Sequence, residues 1–245
     1  MNIIRDNSFT RSLGDLGAKL AKPEAILVVS AHWLTRGETR VSVTKRPKTI
    51  HDFGGFPPEL YQRRYPSPGA PTHAQALIES VRSIQVRADH EMGLDHGAWS
   101  VLCHMWPKAD VPVFQLSIDW DQPPAWHLAL GRELFTLRER GVLILGSGNI
   151  VHNLSRITAE ENDPEVPEWA EQFDAWSKQR LLARDDASLA RYTEQGAAAR
   201  IAVAMNDHYL PLLYSVGALA SDEKLRFTHE GFQNGSISMR SFVSE

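Results

Sequence analysis

A single cysteine, Cys103, stands among 245 residues, which excludes an internal disulfide framework and any zinc site built from thiolates. A metal held by this chain must therefore take nitrogen or oxygen donors, and a reducing compartment is expected. No apolar run approaches the roughly 18 to 20 residues needed to span a bilayer. The opening Met1-Asn-Ile-Ile-Arg-Asp6 also lacks the apolar segment of a secretory signal. A cytoplasmic protein with no membrane association is expected. Excess charge of one sign is missing too, because 26 basic and 30 acidic residues give a formal net charge of −4 and are scattered along the chain. Without a basic stripe to meet phosphates, no nucleic-acid partner is expected. No internal repeat, low-complexity tract or Gly/Ser linker divides the sequence, so residues 1–245, 42% hydrophobic, are expected to bury one core as a single domain.

What is present is apolar patterning of two periods. Ala25 to Ala31, Val111 to Ile118 and Gly141 to Leu145 are near-continuous apolar, β-branched runs, and Arg40 to Thr44 alternates. Runs apolar on both faces belong to strands covered from both sides. Helical spacing fills the intervals at Asn7 to Leu20, Pro71 to Arg82, Pro124 to Glu139, Glu168 to Ala183 and Asn206 to Ala218. The expected fold class is α/β, a single domain with a mixed, mostly buried sheet flanked by helices on both faces. Lys45 to Pro71, rich in Pro, Gly and aromatics, reads instead as a long ordered loop, a type of segment that is often functional.

Ten histidines are many for this length, and their positions suggest chemistry. His32 closes the first apolar run, where open α/β sheets build their ligand crevices. His152 follows the Gly141 to Leu145 run, after Gly146-Ser-Gly-Asn149. Those glycines suit close backbone approach or a strand-to-helix turn better than a phosphate loop, because no dinucleotide fingerprint surrounds them. His208 opens an apolar helix. Two strand ends and a helix start can converge on one ion, although each histidine alone is equally explained by a backbone hydrogen bond or a cap. His96, beside Asp95 and Gly97, and His51, beside Asp52, are placed for general acid/base work with a carboxylate neighbour, or are loop histidines satisfied by that neighbour. His73, His90, His104, His127 and His229 are read as structural or surface residues. Trp33, Phe53, Phe56, Trp99 and Trp126 are candidates for an aromatic pocket, with core packing as the commoner use of such residues.

Taken in order, Ser30-Ala-His-Trp33, Thr49-Ile-His-Asp-Phe-Gly-Gly-Phe-Pro57, Leu94-Asp-His-Gly-Ala-Trp99, Gln115-Leu-Ser-Ile118, Gly146-Ser-Gly-Asn-Ile-Val-His-Asn153 and His208-Tyr-Leu-Pro-Leu212 resemble the LigB-type class III extradiol ring-cleavage dioxygenases. The nearest branch is the 4,5-DOPA extradiol dioxygenase-like one. The resemblance implies a small aromatic diol and O2 as substrates and a muconic semialdehyde as product. It also implies one divalent metal ion, Fe(II) for activity or Zn(II) as bound. His32 and His208 are implied as metal ligands, His152 as a third ligand or a base, His96 as an acid/base, and His51 and Phe53 as substrate contacts. Two departures accompany it. The third ligand position carries His208 where better-known class III members have a carboxylate. The branch also opens with a strand ending in Gly-His-Gly-Ser-Pro, whose metal-binding histidine this sequence lacks, so an open sheet edge or slot and reduced stability are expected. The competing readings are a zinc hydrolase that uses the same histidines to generate hydroxide and a non-catalytic metal- or aromatic-binding protein of the same fold.

Overall fold

The apolar runs become the central strands of a five-stranded sheet in the computed structural model, which describes residues 2–160 and 164–245. Met1, where the resemblance departs from its branch, lies outside the described residues. The strands are β1 (Ala25–Thr35), β2 (Thr39–Ser42), β3 (Val86–Asp89), β4 (Val113–Asp119) and β5 (Val142–Ser147), in the order β3-β2-β4-β1-β5. β1 runs parallel to both β4 and β5, and β2 is parallel to β3 but antiparallel to β4. The sheet is mixed, as expected.

Alternation along β1 explains its unbroken apolar sequence. Ala25, Leu27 and Val29 face one hydrophobic core, while Ile26 and Val28 face another. Helices Ser8–Lys19 and His96–Met105 cover the second face through Leu13, Trp99 and Leu102, and helices Pro71–Ser80, Pro124–Glu133, Glu168–Leu182 and Leu210–Gly217 cover the first. Burial of this kind is worth about 25 cal/mol per Å² of apolar surface, so a strand buried on both faces is the part of the fold the hydrophobic pattern specifies best.

Helix ends follow local chemistry. Asn7 caps Ser8–Lys19, accepting from the Thr10 amide while the Thr10 side chain reaches back to the Asn7 amide. The expected helix Pro124 to Glu139 divides into Pro124–Glu133 and Phe135–Arg138. Around Leu134 the amides bond three residues back, Leu134 to Gly131 and Leu137 to Leu134, each at 3.0 Å, so the turn tightens and the regular helix stops. The expected helix from Asn206 begins only at Leu210. The Asn206 carbonyl instead accepts the Tyr209 and Leu210 amides in a turn, and Pro211, which has no N–H, suits the first helical turn. The helix His96–Met105, β3 and the C-terminal antiparallel pairs, Leu225–His229 with Ser241–Ser244 and Phe232–Gln233 with Ile237–Ser238, were not anticipated. The long loop Lys45 to Pro71 holds only the short helix Pro58–Gln62.

β5 is an edge strand. Leu143, Ile144 and Leu145 are only half-buried, and the strand borders a groove of about 210 Å³ that Leu13, Leu16, Val101 and Phe242 help to wall and that reaches His208. Among the described residues no helix is long and apolar enough to cross a membrane.

Candidate active site

The site forms where β1 outruns its neighbours. Pairing with β5 ends at Ser30 opposite Ser147, and the register with β4 shifts between Val29 opposite Leu116 and Leu34 opposite Ile118. Five steps along β1 thus match two along β4, and such an irregularity re-aims side chains. His32 stands in this stretch, so β1 does not end at His32 but continues to Thr35.

His96 is the first residue of helix His96–Met105 rather than a loop residue. Its backbone N–H donates to Asp52 Oδ1 and its Nδ1 pairs with Asp52 Oδ2, both at 2.9 Å. The carboxylate serving His96 is therefore Asp52, contributed by the long loop, and not the adjacent Asp95. Asp95 turns inward, is buried, and caps the helix by accepting from the Ala98 amide. The His32 and His96 rings lie 3.9 Å apart, and His32 Nδ1 is 4.0 Å from Asp52 Oδ2.

The other two histidines approach from the end of β5 and from the turn before Leu210. Close packing there depends on glycine: a Cβ on Gly148 would lie 2.2 Å from the His208 carbonyl oxygen, and one on Gly146 would lie 2.5 Å from that of Pro211. His208 stacks on His152, with centroids 3.5 Å apart and planes 9° from parallel, and meets His32 edge-on at 5.0 Å. Its Nδ1 donates to Asn149 Oδ1 at 3.1 Å, and the orientation of that amide is set by Asn149 Nδ2, which donates to the Ser238 carbonyl at 2.8 Å. The arrangement puts the proton on Nδ1 and leaves Nε2 of His208 as a lone-pair donor.

The surroundings of His32, His152 and His208 favour their neutral forms. Burial, reinforced by His96, takes His32 down to about 4, against a weaker opposing pull from Asp52. Burial, followed by the neighbouring histidines, holds His208 well below the usual histidine range, and burial also lowers His152 while Asp207 opposes it. At Asp52 burial works to raise the carboxyl, but the hydrogen bonds and charge of His96 outweigh it and hold it low.

Neutral imidazoles beside a carboxylate are a donor set that divalent transition metals accept, so the residues fit such an ion. The described group whose ligand atoms all lie within 4.8 Å of one another is His32, Asp52 and His96. His152 and His208 join the cluster through ring contacts without entering that mutual reach. An imidazole lone pair lies in its ring plane and a metal–nitrogen bond is about 2.0 to 2.1 Å, so two rings stacked 3.5 Å apart cannot both point at one ion.

Aromatic residues of the long loop form the rim. Phe53 lies 5.5 Å from His96, 5.7 Å from His51 and 5.1 Å from Tyr61, with Phe56 against it. His51 Nε2 pairs with the Arg63 carbonyl at 3.0 Å. Trp99 is core, its indole N–H tying down the loop at the Ile50 carbonyl, while Trp126 packs on His127. His127 is fully buried and bonded to the Tyr214 hydroxyl, a structural use as anticipated. Sequence reasoning missed Asp52 as the partner of His96, Asn149 as the holder of His208, and Tyr61 on the rim. For Asp52 the signal was its place next to His51 on a loop already suspected of function.

The model of the family described as the catalytic LigB subunit of aromatic ring-opening dioxygenase matches residues 5–243. The chain is 44% identical to the 4,5-DOPA dioxygenase extradiol of Escherichia coli (strain K12), covering 98% of this chain and 89% of the relative. It is 38% identical to the 4,5-DOPA dioxygenase extradiol of Beta vulgaris, covering 90% of this chain and 82% of that one. A solved structure of an uncharacterized Escherichia coli K12 protein superposes with a TM-score of 0.84 at 39% identity, covering 98% of this chain and 93% of the other. With fold, histidine cluster and near-complete matches in agreement, the chain belongs to the LigB family and to its class of extradiol ring-cleavage dioxygenases.

Proposed function

We propose that this chain opens the ring of a catechol, DOPA or a close relative, with O2, in the site formed by His32, His96, His152 and His208. The observation that carries the reading is the pairing of two kinds of histidine within one cluster: neutral, buried imidazoles, and an imidazole hydrogen-bonded to a carboxylate under an aromatic rim. DOPA enters through the names of the relatives. The carbon–carbon bond beside the diol breaks and both atoms of O2 enter the product, one in the new carboxylate and one in the new aldehyde. No external reductant is required.

His32 and His208 would hold the metal, and the stacking of His152 on His208 favours His152 as the proton acceptor over a third ligand. When bound, Fe(II) supplies Lewis acidity toward the diol and one-electron chemistry toward O2. The remaining work falls to this chain's residues. A neutral His152 takes a hydroxyl proton as the diol binds. His96 has Nδ1 committed to Asp52, so Nε2 is the atom that meets the substrate and delivers a proton as the ring opens, with the Asp52 carboxylate stabilising the imidazolium. Phe53 and His51 flank the aromatic ring.

The test is anaerobic loading with Fe(II), addition of DOPA, and admission of air while oxygen uptake and a yellow product are followed together. One O2 consumed per catechol is expected. Turnover supported by zinc without oxygen, or no uptake with any catechol, would sink the proposal.

A further inference from the structure

Asp95 has no part in the chemistry above, yet it is a carboxylate only 1% exposed beside the site. Its Oδ1 accepts from Ser30 Oγ at 2.7 Å and from the Ala98 amide at 3.0 Å. Ser30 lies on β1 two residues before His32, and Ala98 lies in the first turn of the helix that His96 begins. Ser30 Oγ in turn accepts from the His32 amide at 3.3 Å. Ser147, at the end of β5, donates to the Gly97 carbonyl at 2.7 Å and so draws in the strand that leads to Asn149.

The contact has no slack. A Cβ on Gly97 would stand 2.5 Å from Ser30 Oγ and 2.9 Å from His32 Cδ2, so strand and helix start already touch. Asp95 Oδ2 is buried without a hydrogen-bond partner. A helix cap alone could be made by Ser, Thr or Asn, and a buried carboxylate oxygen without a partner costs stability. Capping alone therefore does not account for the second bond that the same oxygen takes from Ser30. What Asp95 does is hold two histidine-bearing elements with one oxygen atom.

We infer that Asp95, acting through Ser30, is the positioning residue that sets the spacing between His32 and His96 and so registers the metal-binding side of the site against the proton-transfer side. The kinetic consequence rests on the ring-cleavage reading, whereas the geometric one does not.

The experiment compares the full chain with Ser30→Ala, Asp95→Ala and Asp95→Asn. Ser30→Ala removes the link to β1 and leaves the cap, while Asn retains the accepting oxygen. In the metal-free proteins, labelled-histidine NMR is expected to show the His32–His96 inter-ring contact weakened at least twofold in Ser30→Ala and Asp95→Ala, the His152–His208 contact retained, and Asp95→Asn close to the wild-type value. In the Fe(II)-loaded proteins, kcat should fall about tenfold in the two alanine variants at equal metal content, with KM for DOPA within twofold, and Asn should restore most of it. An unchanged inter-ring contact in Ser30→Ala, or a loss that spreads equally to His127 and Tyr214, would overturn the inference. A wild-type chain without oxygen uptake would sink the ring-cleavage reading, and the NMR comparison would still decide the positioning.

Discussion

The site has an outward half, His32 and His96 with Asp52 under Phe53, and an inward half, His152 and His208 with Asn149. The outward half has a carboxylate as partner and the inward half a carboxamide. A carboxylate stabilises an imidazolium, so a histidine beside it can carry and release protons. An amide oxygen fixes a tautomer without adding charge, and burial then keeps the ring neutral. On the proposed reading His96, beside the carboxylate, is a proton carrier and His208, beside the amide, is a lone-pair donor, and for these two rings the neighbouring side chain, rather than the histidine, makes the difference.

The largest effect expected from this comparison is at His208. His208→Ala should remove bound metal, measured by elemental analysis, and bring oxygen uptake to background. Asp52→Asn should keep the metal and lower kcat by roughly 10² to 10⁴, the usual contribution of general acid–base catalysis. The paired result can break the comparison: should Asp52→Asn lose its metal while His208→Ala keeps it, the ion belongs to His32, Asp52 and His96 and not to His208.

How much of this arrangement could be read in advance depended on whether the cause was local. β1 and β4 were legible because both their faces are buried, and Asn7 because its cap lies in the next turn. Helix His96–Met105 was hidden behind Gly97, a residue that weakens helical patterns but here is required by contact with Ser30 and His32. His32, His96, His152 and His208 stand out in the sequence one by one, and the fold brings their rings together. Asp52 was not paired with His96, because 44 residues separate them and only the fold closes that distance. Asn149 was hidden for the same reason, since its partner lies 59 residues away.

Asn149 offers a smaller and more selective test. Asn149→Ala leaves His208 in place but frees its tautomer, and loss of such a supporting hydrogen bond typically lowers metal affinity by about 10 to 100-fold. A metal titration with a competing chelator should show this while KM for catechol at saturating metal stays unchanged. An affinity equal to wild type would mean that stacking on His152, and not the amide, orients His208.

The smallest effect concerns stability and uses a buried histidine outside the site. Burial takes His127 down to about 4, with the Gln122 carbonyl and Asp119 opposing. The unfolded chain binds this proton as pH falls below the ordinary histidine value near 6.5, whereas the folded chain does not until about 4. Folding stability therefore declines through that window as pH is lowered, by up to ~3 kcal/mol for such a histidine. His32, taken down to about 4 by the same main cause, adds to the slope. Urea midpoints measured from pH 7 to pH 4 should fall less steeply in His127→Gln than in wild type. Equal slopes would show that burial does not hold His127 neutral in the folded chain.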